Sequence, residues 1–241
     1  MKSLFIETKY EGKLDLSGDV AKELVSKLPE QLVLAASLQY LEQLDELKSY
    51  LEQNGKKVIL FQSLHSKYPG QSLGCDIQKF EIKQQDNNLD TNQDKINYDA
   101  FLYLGDGMFH PTALAYGNEK PVFIYNPFAH EGQEIKELDK NYWEKAKKRK
   151  NALLAKLISS DNIGVLVTRK PGQNQSKIAE ELRVKLEEKG KKVFVFIADN
   201  INILGLQDFN FIDVWVNTAC PRMVEDFPCL NWQDLKEINY F

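Results

Sequence analysis

Three cysteines, Cys75, Cys220 and Cys229, are the side chains in this sequence best able to bind a soft metal or act as nucleophiles. Cys75 ends the run Tyr68-Pro-Gly-Gln-Ser-Leu-Gly-Cys75, and Cys220 sits in Asn217-Thr-Ala-Cys220-Pro-Arg222. Each run follows a short apolar segment and contains Gly or Pro. That arrangement presents a thiolate just beyond a strand end, where open α/β sheets place their ligands. Neither cysteine has a CxxC partner, so spacing alone specifies no zinc site, and a small buried hydrophobe is the alternative for each. Cys229, nine residues after Cys220 in Asp226-Phe-Pro-Cys229-Leu, reads first as packing against the preceding domain. Folding back toward Cys220 would make it a third ligand.

A second cluster is Gly105-Asp106-Gly107-Met-Phe-His110-Pro111, directly after the run AFLYL. Glycines there let backbone N–H groups approach an anionic or polar ligand, and the following helix is expected to begin near Pro111. The same residues also suit a plain tight turn. They form neither a Walker A loop nor GxGxxG. Thr168-Arg-Lys-Pro-Gly-Gln173 reads either as an anion-friendly loop or as a solvated turn. With only His65, His110 and His130, no HExxH and no Ser/His/Asp set is available, and His110 alone has a ligand-orienting position.

These loops need a frame. Apolar runs rich in β-branched and aromatic residues occur at Leu32–Ala36, Val58–Phe61, Ala100–Leu104, Val122–Tyr125, Ile163–Val167, Val193–Ile197 and Ile212–Val216. Their length and continuous apolarity suit strands buried on both faces. Between them lie helical spacings such as Leu41, Leu44, Leu47 and Leu51, and Ile178, Leu182 and Leu186. Strand, helix and strand in alternation predict an α/β fold with parallel sheets and right-handed crossovers.

The frame is written twice. Leu51–Val58 reads LEQNGKKV and Leu186–Val193 reads LEEKGKKV, six of eight positions identical at an offset of 135. Both end a helical pattern at a Gly, which readily takes the left-handed conformation of a helix stop. Matching flanks favour duplication over convergent capping: two repeated domains, each a small parallel sheet flanked by helices, over residues 1–130 and 131–241. Residues 142–159 predict a helix carrying Lys145, Lys147, Lys148, Arg149 and Lys150. The polar tract within residues 76–95 reads as an inserted loop.

Composition narrows the class. The 241 residues are 43% hydrophobic and 27% charged, enough for a real core without staples. A net charge of −4 argues against a generic nucleic-acid binder. Three cysteines fit a reduced chain; no apolar run is long enough for a membrane span, and Met1–Lys13 lacks a signal-peptide core. A soluble, cytoplasmic protein is expected.

Taken in order, GQSLGC, YDAFLYLGDGMFHP, KPVFIYNP, TRKPGQ and DVWVNTACPR resemble the diphthamide-synthesis protein family over essentially the whole chain. The resemblance implies a radical enzyme that uses a [4Fe–4S] cluster and S-adenosylmethionine. Such an enzyme transfers a 3-amino-3-carboxypropyl group to a histidine of translation elongation factor 2. Family members have three related α/β domains, each giving one cysteine to the cluster. This chain resembles the middle and last domains, with Cys75 and Cys220 at their ligand positions and the first domain absent. If that chemistry holds, position in the chain assigns Gly105, Asp106, Gly107 and His110 to the adenosylmethionine side. Asn217, Thr218 and Arg222 shape the loop around Cys220, with Arg222 a carboxylate partner.

Three readings follow. The chain binds a cluster through Cys75 and Cys220 with a third ligand from elsewhere; or it is the partner subunit of a longer paralogue; or it is a metal-free small-molecule-binding protein using the GDGMFHP loop. Partners implied by the resemblance are elongation factor 2 and a second subunit, as a homodimer or a heterodimer, without nucleic acid or membrane.

Overall fold

The computed structural model describes residues 6–62, 66–75, 80, 97–116, 118, 120–139 and 141–241. Most of the polar tract at 76–95, and His65, lie outside them. The chain divides into two compact units, Met1–Trp143 and Glu144–Phe241.

The first unit runs α1 (Asp19–Lys27), β1 (Gln31–Ala36), α2 (Leu41–Gln53), β2 (Lys57–Leu60), β3 (Ala100–Leu104), α3 (Phe109–Ala115), β4 (Val122–Tyr125) and β5 (Ile135–Glu137). Its sheet has the order β2-β1-β3-β4-β5, parallel except for β5, which pairs antiparallel with β4. The continuous apolar runs are explained by burial on both faces. Leu32, Leu34, Ala36, Leu102 and Leu104 point into a core shared with Leu44, Leu47 and Leu51 of α2. Val33, Ala35, Phe101 and Tyr103 point the other way, onto Leu114, Ile124 and Phe61. Alternate residues of a strand face opposite sides, so both sets must be apolar.

The second unit follows with α4 (Asn141–Ser159), β6 (Asn162–Thr168), α5 (Ser176–Glu188), β7 (Lys192–Ala198), β8 (Val214–Asn217), α6 (Met223–Asp226), β9 (Cys229–Asn231) and α7 (Trp232–Glu237). Helix α4 starts within the last residues of the first unit. The sheet order is β7-β6-β8-β9, all parallel, so it repeats the first four strands of the other unit position for position. Ile163, Val165, Val167, Val214 and Val216 pack on α5 through Ala179, Leu182 and Leu186. The opposite face holds Leu166, Trp215, Phe227 and Cys229.

All seven strands expected from apolar runs are present, with ends shifted by up to two residues. The two not anticipated, β5 and β9, are three residues each. Strand β5 pairs with β4, so residues 135–137 complete the first sheet.

The repeated helix stop has one geometry. Gly55 has φ +81° and Gly190 φ +80°, and a Cβ would meet no atom within 4 Å at either. Their role is therefore purely conformational. Gly190→Ala is expected to lower stability by about 1–2 kcal/mol through left-handed strain alone. A urea midpoint indistinguishable from wild type would contradict this.

Candidate functional site

In a parallel sheet the loops beyond the strand C-termini diverge where the chain order reverses, leaving a crevice. In the first unit that reversal lies between β1 and β3, because β1 is flanked by β2 on one side and β3 on the other. The Cys75 loop is fastened there. Ala36 N–H donates to Gly70 O (2.8 Å), Ser72 N–H to Ala36 O (2.8 Å), and Gly70 N–H to Phe61 O (2.7 Å). Inside the loop the buried Gln71 Oε1 accepts from the N–H groups of Lys67 (2.8 Å) and Tyr68 (3.2 Å). The loop thus leaves the sheet end on a braced path that ends at Cys75, which is exposed.

The GDG turn meets this loop. A Cβ on Gly74 would collide with the Phe109 ring, so glycine there lets the ring of α3 lie against the backbone preceding Cys75. Asp106, Gly107 and Met108 are exposed beyond the end of β3. Gly105 N–H donates to Tyr125 O (3.0 Å), which ties the turn to β4. His110 is half-buried, its ring stacked on Tyr103 at 5.7 Å and 9° and edge-on to Phe109. The Tyr103 phenol is pushed up to about 12, first by burial and further by the charge of Asp106, while Ser37 beside it works against the shift. It stays a neutral hydroxyl at any physiological pH. The Cys75 loop and the turn beyond β3 thus meet at Gly74 and Phe109, and His110 of the same turn lies on Tyr103. Tyr103 and Tyr40, which the sequence did not single out, lie against Gly105, and Ser37 is beside the Tyr103 hydroxyl.

In the second unit the reversal lies between β6 and β8. Asn217 ends β8 and is 1% exposed. Its Nδ2 donates to Cys220 O (2.8 Å) and Asn231 Oδ1 (2.9 Å), while its Oδ1 accepts from Ala219 N–H (2.8 Å). Thr218, fully buried, donates both N–H (3.0 Å) and Oγ1 (2.8 Å) to Leu166 O of β6. Asn231 Nδ2 donates to Pro221 O (3.0 Å). These bonds wrap the turn around Cys220, which is half-buried. Arg222 is also buried; its Nε and Nη2 reach the two carboxylate oxygens of Glu225 at 2.7 and 2.8 Å. Its carboxylate partner in this structure is thus one turn ahead in its own chain. Arg169 of the TRKPGQ loop is likewise gripped in bidentate fashion by Asp199, both bonds 2.9 Å.

Cys229 is different. It lies in β9, 3% exposed, among Trp215, Phe227 and Leu206. Burial pushes its thiol up to about 12, so it is protonated at neutral pH, unlike a metal-binding thiolate. It packs inside its own unit. Among the described residues no group of three or more His, Cys, Asp or Glu is placed to hold a metal ion. The donor set therefore suits a cluster as two accessible thiols, one at the sheet reversal of each unit, and Cys229 as placed supplies no third.

Below the Cys220 turn sits a buried carboxylate that the sequence also left unremarked. Asp234 accepts from Asn231 N–H (2.8 Å) in a capping box that starts α7, with Lys150 at 3.8 Å. Burial raises it to about 6, although the Asn231 bond and Lys150 pull the other way. Between the ordinary carboxylate value near 4 and about 6 the folded state holds a proton that the unfolded state releases. Stability therefore falls as pH rises through that window. Asp234→Asn keeps the acceptor and removes the titration. Its unfolding free energy in urea should match wild type near pH 4 and exceed it above pH 6, by up to roughly 2–3 kcal/mol. Parallel pH curves for the two proteins would refute the assignment.

Comparison with known proteins fits this architecture. The sequence model of the diphthamide synthesis protein family matches residues 1–227. A 2-(3-amino-3-carboxypropyl)histidine synthase of Pyrococcus horikoshii is 26% identical over 203 residues, covering 84% of this chain and 53% of that protein. Its namesake from Methanocaldococcus jannaschii is 31% identical over 193 residues, 76% of this chain and 51% of the relative. Subunit 1 of the synthase from Caenorhabditis elegans is 27% identical over 202 residues, 82% of this chain and 46% of the relative. The chain thus spans about half the length of these curated relatives. A crystal structure of Dph2 from Pyrococcus horikoshii with a 4Fe-4S cluster superposes with a TM-score of 0.69 at 24% identity, covering 92% of this chain and 60% of that one. Two sheets of one strand order, a fold shared with Dph2 and a family match that runs almost from end to end together place this chain in the diphthamide synthesis protein family.

Proposed function

We propose that this chain takes part in the first step of diphthamide biosynthesis, as the enzyme or as a subunit of it. The reaction is transfer of a 3-amino-3-carboxypropyl group from S-adenosylmethionine to a histidine of translation elongation factor 2. The observation that supports this most directly is the placing of one accessible thiol at the sheet reversal of each unit, in a chain whose relatives carry the synthase name.

In this reading Cys75 and Cys220 are ligands of a [4Fe–4S] cluster. When bound, the cluster supplies the electron for cleaving a sulfonium carbon–sulfur bond; the protein supplies orientation and electrostatics. Protein-bound cubanes take more than two thiolates, and Cys229 is committed to a core, so a further donor beyond these three cysteines completes the set. The remaining roles fall to the chain's own residues. Gly105 and Gly107 keep the turn beyond β3 low, so that a polar ligand can approach the backbone. Asp106 offers an acceptor for an ammonium or ribose hydroxyl, and His110, held flat on Tyr103, presents one ring edge to the same side. Asn217, Thr218 and Arg222 spend their hydrogen bonds on the Cys220 loop and hold it in shape. The cysteines need a reducing compartment, which fits a cytoplasmic location, and among the described residues no helix is long and apolar enough to cross a membrane. Pairing with a second, related subunit, as a homodimer or heterodimer, agrees with relatives named as subunit 1 of a synthase.

The test is iron and sulfide content with an electron paramagnetic resonance spectrum on anaerobically purified, reconstituted protein. S-adenosylmethionine and elongation factor 2 are then added, with and without a related subunit. Iron uptake followed by a mass gain on the factor supports the proposal. Protein that takes up no iron in either setting overturns it and leaves a metal-free binding module.

A further inference from the structure

Charge is divided unevenly between the two units. Residues 1–143 carry 15 basic and 22 acidic side chains, a net −7, and residues 144–241 carry 16 and 13, a net +3. Much of the positive excess sits on one helix, α4. There Lys145, Lys147, Lys148, Arg149, Lys150 and Lys156 stand against a single acid, Glu144.

At about 100° per residue, Lys145, Lys148, Arg149 and Lys156 fall within an arc of about 100°, opposite the buried Leu154 and Leu157. All four are exposed, and among the described residues none of them is ion-paired. The arc holds no acid; its other members are Asn141, Ala152 and Ser159. Lys150 lies outside it and is tied to Glu237 at 2.7 Å. Like charges three and four residues apart weaken a helix, so this face is costly until something neutralises it. Lys145, Arg149, Ala152 and Lys156 follow the i, i+4, i+7, i+11 spacing of a seam that runs along one helix beside another. The stripe is about 16 Å long, and the small Ala152 at its middle permits close approach.

We propose that this stripe of α4 docks an acidic helix of a protein partner, whose carboxylates at matching spacing pair with Lys145, Arg149 and Lys156, with Lys148 at the flank. The lysine and arginine stems would cover the partner helix while their charged ends stay at the rim. Other anionic occupants fit the face less well. It has no aromatic side chain on which a nucleic-acid base could stack, and no large apolar side chain to enter a lipid surface. A net charge of −4 for the whole chain also opposes a polyanion such as RNA, whereas a protein of mixed charge need present only a local acidic stretch. The inference goes beyond the reaction proposed above and uses neither the cysteines nor a cluster.

The experiment measures fluorescence anisotropy with the full chain and a labelled alanine-rich peptide of about 18 residues, long enough to be helical. One peptide carries Glu at i, i+4, i+7 and i+11; a second has the same composition in scrambled order. Wild type should bind the ordered peptide about tenfold more tightly than the scrambled one, and less tightly as salt rises. The triple variant Lys145→Ala, Arg149→Ala, Lys156→Ala should lose that preference with unchanged circular dichroism, alanine being the best helix former. Lys177→Ala, an exposed lysine on α5 of the same unit, should keep it. Equal affinity for the two peptides, or an unmoved preference in the triple variant, overturns the proposal. Tighter binding of an RNA oligonucleotide of about 12 residues, or of phosphatidylserine vesicles, also overturns it by giving the face to phosphate.

Discussion

Cys220→Ala should bring bound iron to background in anaerobically reconstituted protein, and Cys75→Ala should do the same. With two accessible thiols assigned as ligands beside one further donor, loss of either leaves too few to hold a cubane against chelator. Cys229→Ala gives the opposite pattern. Its sulfur sits among Trp215, Phe227 and Leu206, so its loss leaves a small cavity costing about 1–2 kcal/mol, with iron uptake intact. The three variants thus separate ligand from core by two independent readings, iron per chain and urea midpoint. Undiminished iron in Cys220→Ala would remove that residue from the ligand set. Iron lost only in Cys229→Ala would reverse the roles assigned here.

The second large effect is expected at Asn217. Its amide joins the Cys220 carbonyl, the Ala219 N–H and the Asn231 side chain while 1% exposed. Asn217→Ala strands these partners away from water. At about 1–3 kcal/mol for each buried group left unpaired, and with partial relaxation, a loss of roughly 2–4 kcal/mol follows. Asn217→Asp should be worse, because it sets a buried carboxylate against two oxygen acceptors. Since the amide holds the Cys220 turn rather than any ligand, the conservative Asn217→Ala should also shed iron faster to chelator under conditions where it remains folded. A variant destabilised by this amount but as slow as wild type to lose iron would make Asn217 structural only.

What could be read from the sequence follows from what signals are local. Strands buried on both faces announce themselves as apolar runs, and the LEQNGKKV and LEEKGKKV pair gave away the duplication before any contact was known. Strands β5 and β9 escaped because three residues hold no period, and Ile135-Lys-Glu and Cys229-Leu-Asn look like turn and linker. The crevice residues in loops were visible by type, but not by partner. Nothing local says that Phe109 lies on Gly74, or that Tyr103, inside a strand, underlies His110. Two partners were within reach. Arg222 and Glu225 stand three apart, a spacing that brings side chains together on one helical turn. Asn231-Trp-Gln-Asp234 has the form of a capping box, which marks the start of α7 and places Asp234 under the Cys220 turn.

The seclusion of Cys229 has a use of its own. A thiol that is protonated and sealed in the core reacts with an alkylating reagent only when the second unit opens, while exposed Cys75 labels at once. In native buffer the slow labelling of this one sulfur is therefore a clock for opening of the second unit alone. Mass spectrometry of the fragment containing Cys229 would time it without denaturant, and slowing of that clock on iron loading would give the free energy with which the bound cluster holds the unit shut.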